Sequence, residues 1–169
     1  ISRYITEKPN TQSGVSDTVF KILQEENSHL HKDINKKLVE AAIEATNFAY
    51  VPYSNFKVGA AILADNGKIY TGCNIENASY SPTNCAERTA IFKAVSEGVT
   101  KFKKIAVVGG PNGNLENYCP PCGVCRQVIA EFADNDFELI LGTTNNSYEV
   151  YNFFKEVLPL SFTAKELNK

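Results

Sequence analysis

The sequence predicts a single layered α/β domain. Apolar runs of strand length alternate with segments of helical periodicity from about residue 35 onward, the pattern of a sheet covered by helices. The chain has 169 residues, 43% of them hydrophobic, which suffices for one core of ordinary size. Asp65-Asn66-Gly67 stands between two of the apolar runs and is a hairpin signal, so those runs are neighbours in one sheet.

Taken in order, residues 1–33 differ from the rest and read as an N-terminal extension. Lys8 to Gly14 is loop by composition, and Ser16-Asp17 is expected to cap a short helix carrying Val19, Phe20, Leu23 and Leu30,. The extension reads either as an extra surface helix or as an arm that meets another subunit or partner. Residues 34–169 form the main domain. Leu38, Ala42, Ala45, Thr46 and Ala49 recur at helical spacing over 35–50, and Pro52 ends that helix,. Lys57–Leu63 and Lys68–Gly72 are the strands of the hairpin. Asn84–Glu97 is helical, with Ala86, Ala90, Ile91, Ala94 and Val95 on one face and Gly98 as its stop,. Lys104–Val108 reads as a buried strand. Pro121–Phe132 is the next helix, with Val124, Val128, Ile129 and Phe132 facing inward. Phe137–Gly142 and Ser147–Tyr151 follow as strands around Asn145-Asn146,.

Charge and cysteine usage narrow the function classes. Lys plus Arg is 17 and Asp plus Glu is 19, a net charge of -2, which argues against a nucleic-acid substrate because phosphate backbones are met by basic faces. Ile1–Lys8 carries Arg3, Glu7 and Lys8 with no apolar stretch, so it does not read as a signal peptide,. No run of 18 apolar residues exists to span a membrane,. The five cysteines are odd in number, and three cluster within Cys119–Cys125. That spacing reads as a metal or redox site in a reducing, cytoplasmic compartment.

The chemistry concentrates in Cys85-Ala86-Glu87 and Pro121-Cys122-Gly123-Val124-Cys125. Cys85, Cys122 and Cys125 offer three thiolates to one zinc per chain and leave its fourth position open, as catalytic rather than structural zinc requires. Each falls at the start of an expected helix, where free N–H groups and the macrodipole favour the thiolate. Glu87 is close enough to move the protons of an activated water, an arrangement known from zinc-dependent base deaminases. Glu87 also reads as the third residue of a capping box begun by Asn84. Three thiolates on Zn²⁺ leave a formal charge of -1, so nearby positive charge is expected from Arg88 or Arg126. Arg88 is assigned to donate to a ligand sulfur. One competing reading closes a four-thiolate structural site with Cys119 and makes the chain a zinc-stabilised interaction module. Cys73 reads as a small core residue.

Beyond these residues the chain resembles the small homotetrameric cytidine deaminases over roughly residues 35–167. Five segments carry the likeness: Pro52–Ala61, Cys73–Tyr80, Thr83–Ala90, Pro121–Gln127 and Leu158–Phe162. The resemblance implies a three-layer α/β/α fold with a mixed five-stranded sheet between helices, and a homotetramer with active sites near subunit interfaces. It implies deamination of cytidine and 2′-deoxycytidine in pyrimidine salvage. Phe56 would stack on the pyrimidine, and Asn74 and Glu76 would bind the ribose hydroxyls. Tyr53, Tyr80 and Phe162 would wall the pocket, and backbone near Ala86 and Cys119 would orient the leaving amine. A deaminase of another cytosine compound, a nucleoside antibiotic or a nucleic acid, is the nearest alternative. Two departures stand beside the pocket aromatics: Lys57 where proline is more usual, and Leu160 where glycine is expected.

Overall fold

The computed structural model describes residues 17–145 and 147–167. The expected loop at Lys8–Gly14, the cap at Ser16 and the turn residue Asn146 lie outside them. A helix, α1, runs unbroken over Asp17–Ala45 and tightens into a 3₁₀ turn at Thr46–Phe48. Two helical segments were expected there, but no glycine or proline stands between Asp17 and Val51 to break the helix,. The chain divides into two units, 1–36 and 37–169.

The second unit is built on one five-stranded sheet in the order β2-β1-β3-β4-β5. The strands are β1 (Phe56–Ala64), β2 (Ile69–Cys73), β3 (Phe102–Pro111), β4 (Ala133–Gly142) and β5 (Tyr148–Asn152). β1 and β2 form the expected hairpin, with Gly67 at φ +86° and the Asn66 side chain accepting from Lys68 N–H at 2.9 Å,. β3 and β4 pair in parallel, and every other pairing is antiparallel.

Two helices link the strands on one face: α2 (Ala86–Ser96) and α3 (Gly123–Phe132). A five-residue π-type turn at Phe153–Val157 and a short helix, α4 (Ala164–Leu167), end the described chain. Alternation along the strands sorts the side chains. Ala60, Ile62, Ile105, Val107, Leu139 and Leu141 join Ala86, Ala90, Ile91 and Ala94 of α2 and Ile129 of α3 in one buried cluster. The opposite face meets the last turns of α1, where a Cβ on Gly59 would lie 2.0 Å from the Ala42 carbonyl and one on Gly142 2.5 Å from Val39. Sheet between helices on both faces is the three-layer arrangement expected.

Several local expectations are corrected. Val124 is exposed, and Cys125, Ile129 and Ala130 form the buried stripe of α3. Pro121 lies before the helix, because Cys122 occupies the N-cap. β3 is longer than the expected Lys104–Val108 and runs over Phe102–Pro111.

Candidate zinc centre and substrate site

Cys85 and Cys122 are the N-cap residues of α2 and α3, both extended, at φ -78°, ψ 157° and φ -66°, ψ 165°. The extended N-cap backbone throws its side chain back over the free N–H groups of the first turn. Cys122 Sγ accepts from Cys125 N–H at 3.4 Å. Since β3 and β4 are parallel, the helices that lead out of β2 and into β4 bring their N-termini together at one end of the sheet. The Sγ atoms of Cys85, Cys122 and Cys125 lie within 4.8 Å of one another, and those of Cys85 and Cys122 are 3.9 Å apart. Two sulfurs each about 2.3 Å from a tetrahedral zinc would be about 3.8 Å apart, so the donor set fits that ion. Among the described residues no other group of three such ligands comes together.

The capping-box reading of Glu87 is overturned. Cys85, not Asn84, is the N-cap, and the Asn84 amide donates instead to Thr89 Oγ1 at 3.0 Å. Glu87 is therefore freed from capping, yet only 3% exposed. Burial raises its carboxyl above the ordinary glutamate range, and the nearby Cys85 adds to the rise,. Arg88 donates to Cys85 Sγ at 3.7 Å and to the Thr83 carbonyl at 3.2 Å. Hydrogen bonds from the Cys125 thiol, Arg88 and Cys122 pull the Cys85 thiol down to about 5. Arg126, the other candidate cation, points elsewhere and binds the carbonyls of Pro121 and Val157, both at 2.9 Å. Cys119 does not join the trio. Its sulfur covers Gly109, where a Cβ would sit 2.9 Å away, and burial pushes its thiol up to about 11.

Two helix N-termini thus bring together three thiols placed to hold a metal ion, with the buried Glu87 in the first turn of α2. The family described as "Cytidine and deoxycytidylate deaminase zinc-binding region" matches residues 32–140. The chain belongs to the cytidine deaminase family. A cytidine deaminase of Sporosarcina psychrophila is 50% identical over 133 residues, covering 79% of this chain and 94% of that protein. One from Halalkalibacterium halodurans is 48% identical over 131 residues, covering 78% and 96%. The crystal structure of the cytidine deaminase of Burkholderia pseudomallei superposes with a TM-score of 0.67 at 44% identity, covering 75% of this chain and 97% of that one.

Of the segments assigned to substrate in this cytidine deaminase fold, the one around Ile75 is joined directly to the segment that carries Cys85. Ile75 and Asn84 exchange both main-chain hydrogen bonds at 2.9 Å, so the 74–76 segment is tied to the residue preceding Cys85. A cavity of about 360 Å³ is lined by Tyr53, Ser54, Glu76, Tyr80 and Thr83. Tyr53 and Tyr80 meet edge to face at 6.3 Å. Tyr80 stands at φ +58°, an uncommon conformation for a bulky residue and one found at functional sites. Phe56 opens β1 and is 37% exposed, Ala86 is buried in the first turn of α2, and Phe162 is 60% exposed. The Phe162 carbonyl accepts from Gln127 of α3 at 2.9 Å. Ser54, Thr83 and Gln127 escaped the sequence reading. Thr83 and Gln127 are end residues of the two zinc segments, but nothing in spacing alone distinguishes a lining hydroxyl or an anchoring amide from a solvated one.

Proposed function

We propose that this chain hydrolyses the exocyclic C–N bond of cytidine and 2′-deoxycytidine, giving uridine or 2′-deoxyuridine and ammonia, in pyrimidine salvage. The observation that carries this reading is the pairing of three sulfurs within 4.8 Å with a glutamate that is 3% exposed and not used as a cap. Cys85, Cys122 and Cys125 would hold the zinc, which when bound lowers the pKa of a water toward about 7. Glu87 takes that water's proton and delivers it to N3 of the pyrimidine, making C4 electrophilic. With the oxygen of that water bonded to C4, Glu87 takes the remaining hydroxyl proton and passes it to the amine as the C4–N bond breaks, leaving a C4 carbonyl and ammonia. Burial raises the pKa of Glu87, the direction that favours a carboxyl able to give a proton back as well as take one. Arg88 offsets the negative charge of the thiolates through Cys85.

In this reading Phe56 presents its ring to the base, and Tyr53, Tyr80 and Phe162 wall the nucleoside. Glu76 and Asn74 face the sugar, and backbone at Ala86 and Cys119 orients the amine. The large exposed area of Phe48, Tyr50, Tyr80 and Phe162 supports assembly into a homotetramer whose sites lie near subunit interfaces, in the cytoplasm,. In the same reading residues 1–33 are an N-terminal extension and residues 34–169 the catalytic domain.

The test is the ultraviolet absorbance of cytidine with and without a chelator. Conversion is expected to depend on metal, and Glu87→Gln is expected to lose at least the 10²–10⁴-fold typical of a general acid–base group. A Glu87→Gln rate within about tenfold of the parent would overturn the assignment. Turnover of a cytosine-containing oligonucleotide in preference to cytidine would overturn the substrate.

A further inference from the structure

From the hydrogen bonds of Asn74 we infer that this residue is a positioning residue for Phe56, acting on the base half of the substrate site as well as facing the sugar. The inference deepens the nucleoside reading above and rests on it. β2 ends at Cys73, paired with Gly59 of β1, so the ladder runs out before reaching Phe56. The Asn74 side chain carries the pairing further. Its Oδ1 accepts from Val58 N–H at 2.9 Å, and its Nδ2 donates to the Phe56 carbonyl at 2.8 Å. An amide side chain has the same donor and acceptor as a peptide unit, so here it serves as one more rung. Its own main chain is engaged too, the N–H with Val58 O at 3.2 Å and the carbonyl with Tyr50 N–H at 3.0 Å.

Along its other edge this end of β1 is held by β3, with Phe56 opposite Pro111 and the Asn55 carbonyl accepting from Asn112 N–H at 2.7 Å, while the N–H and carbonyl of Phe56 itself turn to side chains. Its N–H goes to Ser54 Oγ at 3.0 Å, and it follows Asn55, which stands at φ +54°. Its carbonyl goes to Asn74. Side chains therefore take both main-chain groups of the proposed stacking residue. Glu76 fixes the other end of the same loop, its Oε2 accepting from Tyr53 N–H at 2.9 Å and Ser54 N–H at 3.2 Å. One Nδ2 proton of Asn74 is left for a sugar hydroxyl. A contact to sugar alone and a role in placing the ring thus make different predictions.

The experiment crosses a side-chain deletion with a ligand deletion. Inhibition constants of uridine and 2′,3′-dideoxyuridine against cytidine turnover are measured for the parent and Asn74→Ala. 2′,3′-Dideoxyuridine is expected to weaken about tenfold for the two lost hydrogen bonds, because the ring is misplaced whatever the sugar carries, and uridine by that factor or more, since it also loses the sugar contact. A loss confined to uridine, or no loss in either, overturns the inference. Because the chain has no tryptophan, Phe56→Trp supplies a single reporter that needs no substrate. Adding Asn74→Ala to it is expected to lower the emission anisotropy of the free enzyme with zinc content unchanged, and unchanged anisotropy overturns the inference. Where the alanine variant does not fold, Asn74→Asp replaces it, keeping the acceptor for Val58 and losing the donor to Phe56. A parent protein that ignores cytidine sinks the functional reading instead, and the anisotropy measurement still decides the role of Asn74.

Discussion

Leu160 stands in the left-handed region at φ +54° with its side chain fully exposed. That conformation costs an L-residue roughly 1–2 kcal/mol, and no buried contact of Leu160 offsets it. Leu160→Gly relieves the strain and adds about 0.5–1 kcal/mol of unfolded-state entropy, so stability is expected to hold or rise slightly. A drop in the urea midpoint would show that the leucine is buried in an assembly. Glu76 supplies a pH dependence. Hydrogen bonds from Ser54 and Tyr53 lower its pKa, so the folded value lies below the unfolded one of about 4.3. Its stabilisation is then complete above the unfolded value and vanishes as pH falls through the folded one. The melting difference between parent and Glu76→Gln is expected to be present at pH 7 and to shrink below about pH 4. A difference independent of pH would remove the carboxylate from that role. Thiol spacing made the metal ligands legible as residues, because three soft donors and a glutamate leave few other meanings. Asn74 was legible as polar and near the site, but its use as a rung depends on where β2 stops, which no local pattern encodes.

Among the elements, α2 holds Cys85, Glu87 and Arg88, and it rests on β2 through Gly72. A Cβ there would lie 2.4 Å from both the Ala86 carbonyl and the Ala90 nitrogen. Gly72→Ala is therefore expected to cost about 1–3 kcal/mol by overpacking and to lower zinc content by shifting α2 against α3. Gly123→Ala, adjacent to Cys122, meets nothing within 4 Å and is expected to leave metal content unchanged. Equal zinc loss in both variants would show that the centre is sensitive to any change nearby rather than to the seat of α2. Strand and helix order was legible from alternation and the hairpin glycine. The continuity of α1 and the N-cap at Cys85 were not. Caps are chosen by the first residue whose backbone can stay extended against its surroundings, and Asn84 was claimed by its bridge to Ile75.

For the molecule as a whole, the exposed aromatics Phe48, Tyr50, Tyr80 and Phe162 are the surface on which the proposed assembly is to be tested. Sedimentation is expected to give four times the monomer mass, and a monomer that turns over cytidine would separate catalysis from assembly. Among the described residues no helix is long and apolar enough to cross a membrane. Layering and sheet composition were legible because burial on two faces imposes them, whereas the way copies associate leaves no period in the sequence. The 37-residue separation of Cys85 and Cys122 also sets an order of events. Bringing distant segments together has a closure entropy that grows with the logarithm of their separation, and the two helix starts follow β2 and β3, which share one direction only once both have paired with β1. Non-local pairing is slow. A nascent chain consequently offers zinc only the local Cys122–Cys125 pair, and the three-sulfur grip arises late, once the crossover has closed. Refolding speed is then set by the sheet rather than by the supply of metal.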